Sequence, residues 1–340
     1  MNIKKPMKFA ETMAKRAEVM RMKEQLALEK YMKFTAPTET DVHVDAVLSG
    51  VSIQYKNDEL IADSVLPVIS VKKESDFYYI YTRNWRLPQS KRAAGAEANE
   101  VEWSLTTDTY ACEEYALKDF VTDRSRDNAD APLDLDVDAA ENVTMLIQLG
   151  REKRVADIVF GSANYGTQTS ALSGANMWDD YAGSDPIKNV RDAKATVHLS
   201  SGKLPNVMVI GYQAYLKLLD HPDILERIKY TQRGIITADL LAAIFEVDSL
   251  FIGKAAYDSS QEGGDESLAY IWGKNCALLY VESSPGLRKV SFGYQFQSRG
   301  FRTEKYRVPG RTGDYVESGE IRDEKLVGAA CGYLYTTVVS

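Results

Sequence analysis

The alternation of apolar and polar positions is most regular between Leu204 and Val281. Val207-Met208-Val209-Ile210 is a continuous apolar run closed by Gly211, the pattern of a short buried strand. From Tyr212 to Tyr230 the residues Tyr215, Leu218, Leu219, Ile224, Leu225 and Ile228 recur every three or four positions, which predicts helix. Pro222 divides that stretch into two abutting helices. A proline is tolerated in a first turn, and Asp220 just upstream is the expected cap. A third helix is expected through Leu240, Leu241, Ile244 and Phe245, capped by Thr237, with Asp239 favourably placed against its dipole. Ser249 to Ala256, Leu268 to Ile271 and Ala277 to Val281 are strand-like, and the polar stretch 258–266 is a loop. The region reads as a compact α/β unit with a small mixed sheet.

Elsewhere the pattern is looser. Met7 to Phe34 is one amphipathic helix, with Phe9, Met13, Ala17, Met20, Ala27 and Tyr31 near one stripe and Lys/Arg interleaved with Glu elsewhere. It can pack on a neighbour or serve as an arm. Thr35 to Thr40, containing Pro37, breaks it, and Val42 to Val71 is irregular. Phe77 to Trp85 and Val101 to Thr109 are strand-like; in the second, Val101, Trp103, Leu105, Thr107 and Thr109 alternate with polar residues. Leu87 to Glu100 between them, with Lys91, Arg92 and Gly95 near its tip, is too long for a tight turn, and a lone hairpin needs a covering layer. Asp138-Ala-Ala-Glu141 resembles a capping box opening a long helix to Phe160, with Val143, Ile147, Gly150 and Ile158 on one face. The mid-helix Gly150 has two explanations, close packing of another backbone or a point of easy bending. Ser162 to Asp185 reads as loop, and 185–199 as a further helix. Short β-prone pieces follow at 290–296, 300–306, 315–318 and 334–339, expected to form a second sheet beside the long helix.

Composition narrows the function classes. The chain of 340 residues is 44% hydrophobic and 26% charged, the profile of an ordinary globular protein that can form two lobes. No apolar run approaches a membrane span, so no membrane partner is expected. The three cysteines lie far apart, which argues against a zinc site or disulfide framework. Twenty tyrosines suit either extensive subunit contacts or a β core. Residues 1–35 hold nine Lys/Arg against four Glu; the remaining body has 32 against 45, so any nucleic-acid contact is local and weak.

Candidate chemistry is sparse. Asp134-x-Asp136-x-Asp138 resembles the start of a calcium loop, but Ala139 and Met145 stand where Gly and Glu are needed; acids before a helix N-terminus explain the triplet more simply. His221 with Asp223 and Glu226 suggests a metal or acid–base cluster, although His43 and His198 are remote, and a capping or surface role is the simpler reading. No phosphate loop, nucleophile elbow, zinc helix or dinucleotide fingerprint occurs, and no catalytic residue, metal or cofactor is assigned.

The strings Val209-Ile210-Gly211, Leu219-Asp220-His221-Pro222-Asp223-Ile224, Leu240-Leu241-Ala242-Ala243-Ile244-Phe245 and Tyr270-Ile271-Trp272-Gly273-Lys274 resemble the major capsid protein of tailed double-stranded-DNA bacteriophages. So do Asp45-Ala46-Val47-Leu48 and Tyr115-Ala116-Leu117. The resemblance implies an α+β chain of the Hong Kong 97-like capsid fold. Its expected parts are an N-terminal helix and arm (1–74), an extended hairpin loop (75–115), a peripheral domain with a spine helix (116–200 and 285–340) and an axial α/β domain (201–284). It implies self-assembly into hexamers and pentamers of an icosahedral shell around packaged double-stranded DNA, in the host bacterial cytoplasm. Scaffold, portal and decoration proteins are possible further partners. Expected subunit-contact residues are Trp85, Lys91, Arg92, Gly95 and Trp103 on the hairpin and Phe9, Met13 and Met20 on the N-terminal helix. Some members crosslink a loop lysine to a neighbour's asparagine, but no partner for Lys91 is identifiable. Two rivals remain: an encapsulin-like nanocompartment shell, and a soluble enzyme using His221 and Asp223.

Overall fold

The computed structural model describes residues 60–81, 87, 90–95, 97–101, 105–129, 134–229, 237–260, 265–284, 289–308 and 310–340. The expected helix from Met7 to Phe34, with Phe9, Met13 and Met20, lies outside them, as do Trp85 and Trp103. The described chain begins with a one-turn helix α1 (Ala62–Val65) and strand β1 (Val68–Ser70), then the hairpin strands β2 (Ser75–Tyr81) and β3 (Leu105–Ala111). Strand β4 (Glu113–Thr122) and helix α2 (Asp123–Asp127) lead into the long helix α3 (Leu135–Val159). Next come β5 (Thr169–Ala171), α4 (Pro186–Ser201), β6 (Val207–Gly211), α5 (Tyr212–Leu219), α6 (Pro222–Ile228) and α7 (Ala238–Phe245). Strands β7 (Ser249–Gly253), β8 (Ala256–Asp258), β9 (Leu268–Tyr270), β10 (Cys276–Leu279), β11 (Gly293–Arg307), β12 (Gly313–Leu326) and β13 (Gly332–Thr336) follow.

The apolar run at 207–210 is continuous because both faces of β6 are covered. Met208 and Ile210 join a core with Leu218, Ile224, Leu241 and Phe245 from α5, α6 and α7. Val207 and Val209 face the other way, into a core with Trp272, Val155 and Val159. The sheet has the order β5-β13-β10-β6-β7 and is mixed: β6 runs parallel to β7 and antiparallel to β10. It draws β5 and β13 from outside residues 201–284, and β5 falls within the stretch expected to be loop. Thr237 caps α7, its Oγ1 accepting from Leu240 N at 3.4 Å. At the far end of α7, Lys194 Nζ donates to the carbonyls of Phe245 (3.1 Å) and Glu246 (2.6 Å), satisfying acceptors that a helix end leaves open. The cap of α6 differs from expectation. His221, not Asp220, holds that position, with Nδ1 accepting from Asp223 N at 3.3 Å.

The second sheet has the order β1-β11-β12-β4. Its two central strands are 15 and 14 residues long, where shorter separate pieces were expected. Register shifts between Gln297 and Arg302 bulge β11 and interrupt its alternation, which is why it reads as two strands. Helix α3 lies across β12 and β4 and is about 37 Å long at 1.5 Å per residue. Its cap is Asp134 rather than Asp138: Asp134 Oδ1 accepts from Asp136 N (3.2 Å) and Val137 N (3.4 Å). Asp136 instead receives Arg126 at 2.7 Å and Lys305 at 2.7 Å. Burial pushes its carboxyl up, but these two cations outweigh that and hold it below the usual range. The acidic triplet is thus used for capping and ion pairing. The buried face of α3 also departs from the expected stripe. It runs through Val143, Thr144, Ile147, Gln148, Arg151, Glu152, Val155 and Val159, while Gly150 is exposed and Ile158 only half-buried. Among the described residues a Cβ built on Gly150 would meet only Arg154 Nη1, at 3.8 Å, so none of their backbone packs there and they give the close-packing explanation no support.

Candidate subunit-contact surface

The hairpin β2–β3 pairs Ser75 with Ala111 through Tyr81 with Leu105. Because directly opposed side chains share a face, Asp76, Tyr78, Thr106, Asp108 and Tyr110 lie on one side and Phe77, Tyr79, Thr107 and Thr109 on the other. The first side is anchored. Tyr110 is buried and stacks on Phe296 of β11 with centroids 4.5 Å apart, and Tyr78 lies 5.6 Å from the same ring. Tyr78 OH donates to Asp108 Oδ2 at 2.8 Å; burial and this acceptor together raise the phenol well above its usual value. The other side is open: Phe77 is 66% exposed and Tyr79 57%. Two exposed aromatic rings on an ordered strand form a face that another surface can cover.

The described residues of the connecting loop are all exposed, and Leu87 is 98% exposed. Lys91, Arg92 and Gly95 are therefore on the surface, with Gly95 at φ +84°, a conformation that favours glycine. These three share one loop, and Trp85 and Trp103 are outside the described residues.

The segment before the hairpin is tied to the body by charged residues that the helical pattern concealed. Glu152 of α3 is fully buried; its Oε1 accepts from Ile61 N (2.9 Å) and Trp272 Nε1 (2.6 Å), and its Oε2 from Ala62 N (2.8 Å). Burial still leaves its carboxyl above the ordinary range, because three donors only partly offset the loss of water. One carboxylate thus joins the start of α1, the long helix and the turn between β9 and β10. Arg151 donates to Glu320 Oε2 (3.1 Å) and Asp63 Oδ2 (3.0 Å). Arg322 reaches Asp63 (3.2 Å) and Glu320 (2.8 Å). Gln295 Nε2 donates to the carbonyls of Ala62 (3.2 Å) and Leu66 (2.8 Å), so every turn of residues 61–66 is held. Burial raises the Glu320 carboxyl and lowers the Arg322 guanidinium, the direction expected for a charge removed from water. Val316, Ser318, Glu320 and Arg322 alternate inward along β12, which is the strand period that creates this row.

His221 does not form a reactive centre. It is fully buried, with Nε2 3.0 Å from Ser184 Oγ, and Ser184 Oγ donates to Asp180 O at 2.7 Å. That hydroxyl proton is committed, so Nε2 is the donor and Nδ1 the acceptor for Asp223 N, the tautomer a cap requires. The imidazole cannot accept a proton without losing the cap, and burial holds its pKa below 6.5. The surface role considered for His221 is excluded by its burial; the capping role is what it performs. Among the described residues no group of three or more His, Cys, Asp or Glu is placed to hold a metal, and no helix is long and apolar enough to cross a membrane.

Residues 162–291 match the family model for phage major capsid protein E. The chain is 32% identical over 302 residues to the major capsid protein of Burkholderia phage BcepMu, covering 87% of this chain and 96% of that one. This chain belongs to the phage major capsid protein family. A crystal structure of a phage-related protein of Bordetella bronchiseptica is similar to it, with a TM-score of 0.68 at 28% identity over 86% of this chain and 97% of the other. The capsid protein of cyanophage P-SCSP1u shares the fold, with a TM-score of 0.54 at 10% identity over 80% and 86% of the two chains. The mixed α+β architecture is thus that of the Hong Kong 97-like capsids. As a phage major capsid protein, the chain is a shell-forming structural component of the virion.

Proposed function

We propose that copies of this chain associate as hexamers and pentamers that close into an icosahedral shell around double-stranded DNA, assembling in the host bacterial cytoplasm. The observation that carries this reading is the 32% identity to a phage major capsid protein across nearly the whole of both chains, which also favours it over a cellular nanocompartment. The subunit acts by shape and contact, not by catalysis, and needs no cofactor. Within it, 201–284 is the axial domain, 116–200 with 285–340 the peripheral domain, 75–115 the extended hairpin and 1–74 the arm. The hairpin lies over a neighbouring copy. Its open face of Phe77 and Tyr79, with Lys91, Arg92, Gly95, Trp85 and Trp103, supplies contacts. Residues 1–35, net positive on an otherwise acidic chain, contact the inner side of the shell, a scaffold or the packaged DNA weakly. Portal and decoration proteins are further partners of such a shell.

Many modest interfaces per subunit make assembly steep in concentration. Sedimentation velocity of the purified full chain tests this. The proposal expects a subunit species giving way abruptly to one very large species as concentration rises. A monomer or small oligomer that persists at every concentration counts against it.

A further inference from the structure

A strand at the edge of a sheet presents a row of unpaired backbone groups that can pair with another chain. The longest edge strands among the described residues are β4, at the rim of its sheet, and both strands of the β2–β3 hairpin. In an antiparallel ladder alternate N–H groups point away from the partner. Cys112 N donates to Glu74 O across the hairpin, so the even-numbered N–H groups of β3 point inward and the odd-numbered ones outward. Phe77, directly opposite Thr109, shares the outward setting. On β4 the inward bond from Asp123 N to Thr312 O makes the even-numbered groups the outward ones.

Four of these outward N–H groups are already taken, each by an aspartate. Asp76 Oδ1 accepts from Phe77 N at 2.9 Å, and Asp108 Oδ1 from Thr109 N at 2.8 Å. Asp323 Oδ2 accepts from Ala111 N at 2.8 Å, and Asp119 Oδ1 from Phe120 N at 2.7 Å. Asp76, Asp108 and Asp119 sit inside strands, where aspartate is disfavoured, so their strand positions need a reason. We infer that these carboxylates are edge guards. By filling outward N–H groups they prevent copies of this chain from pairing edge to edge while unassembled, and leave contact between copies to side-chain faces. The excluded partner is a second copy of the same chain. A docked strand would have to displace each carboxylate and leave its charge beside a backbone carbonyl, so the guard both occupies a donor and repels an acceptor.

The inference does not depend on shell formation, and its test is read on the unassembled subunit. The full chain carrying Asp76→Ala, Asp108→Ala and Asp119→Ala together is compared with two others. One carries Asp76→Asn, Asp108→Asn and Asp119→Asn, which keeps an acceptor but removes the charge. The other carries Glu97→Ala, Asp265→Ala and Glu266→Ala, which removes three exposed charges away from these guards. Thioflavin fluorescence and intermolecular β-sheet absorbance in the infrared report edge pairing, and circular dichroism reports folding. The alanine triple is expected to aggregate at a concentration lower by about fivefold per guard, the ratio that one net backbone hydrogen bond of ~1 kcal/mol sets. The asparagine triple should lie between it and the parent, and the charge control should match the parent. If the alanine triple does not fold, Asp119→Ala alone carries the test, because Asp119 is exposed and its carboxylate accepts from the N–H next to it. Aggregation no greater than in the charge control, or equal in the asparagine and alanine chains, overturns the inference.

Discussion

Trp272 Nε1 donates to Glu152 Oε1 at 2.6 Å, joining the middle of helix α3 to the segment between β9 and β10 across 120 residues of sequence. The same carboxylate holds Ile61 N and Ala62 N, so three parts of the subunit meet at one charge. Replacing Glu152 with alanine leaves those donors buried and unpaired. The expected loss is about 3 kcal/mol of unfolding free energy, read as a lower urea midpoint at unchanged slope. Glu152→Gln keeps one acceptor and should lose less. A Glu152→Ala chain as stable as the parent would show that the joint contributes nothing.

Gly150 gives the opposite sign. With only Arg154 Nη1 near a modest added methyl, Gly150→Ala has room and should raise stability by up to ~1 kcal/mol, seen as a higher melting temperature. Should shells of this variant be fewer or misshapen despite the gain, the glycine serves bending. A fall in melting temperature would mean crowding that the geometry does not contain.

His221 ties stability to pH. Its pKa in the folded chain lies below the ordinary 6.5, so as pH falls the unfolded chain takes up a proton first. Stability contributed by the neutral ring is therefore complete above about pH 6.5 and lost on acidification through the window below it. Asp223, 3.8 Å away, and Asp185 oppose the shift but do not reverse it. The His221→Asn chain, which can still cap α6, should show a flatter urea midpoint between pH 7.5 and 5.5. Parallel pH profiles for the two chains would remove His221 from the account of acid sensitivity.

The hairpin makes two separable predictions. Trypsin should cut the unassembled chain near Lys91 and Arg92, which are exposed, and cut assembled shells far less. Phe77→Ser with Tyr79→Ser should leave the unfolding free energy within about 0.5 kcal/mol of the parent's, since exposed substitutions rarely exceed that. The same pair should raise the concentration needed for assembly. Equal cleavage in both states, or normal assembly of the double variant, would deny the hairpin a contact role.

Short-range pattern carried the α/β region. Thr237 caps α7, Pro222 opens α6, and the run 207–210 is a strand covered on both faces, all signals contained within a few neighbouring residues. The interior of α3 was not legible in the same way. Arg151 and Glu152 look like a solvent face by helical spacing; Arg151 becomes core because Glu320, 169 positions later, points inward from β12, and Glu152 because Ile61, Ala62 and Trp272 donate to it. Asp138 looked like a cap because Glu141 follows it at the right distance, yet Asp134 starts the helix one turn earlier. The bulge at 297–302 broke a pattern that the long strand β11 continues through. Edge guarding by Asp76, Asp108 and Asp119 required knowing which N–H groups point outward, and no local pattern supplies that.

Electron microscopy of the full chain, expressed alone and purified, tests shell formation most directly. A major capsid protein should give closed, roughly spherical shells of uniform wall thickness, or their hexamer and pentamer precursors. A field of dispersed monomers at every concentration, with circular dichroism showing a folded chain, would contradict it.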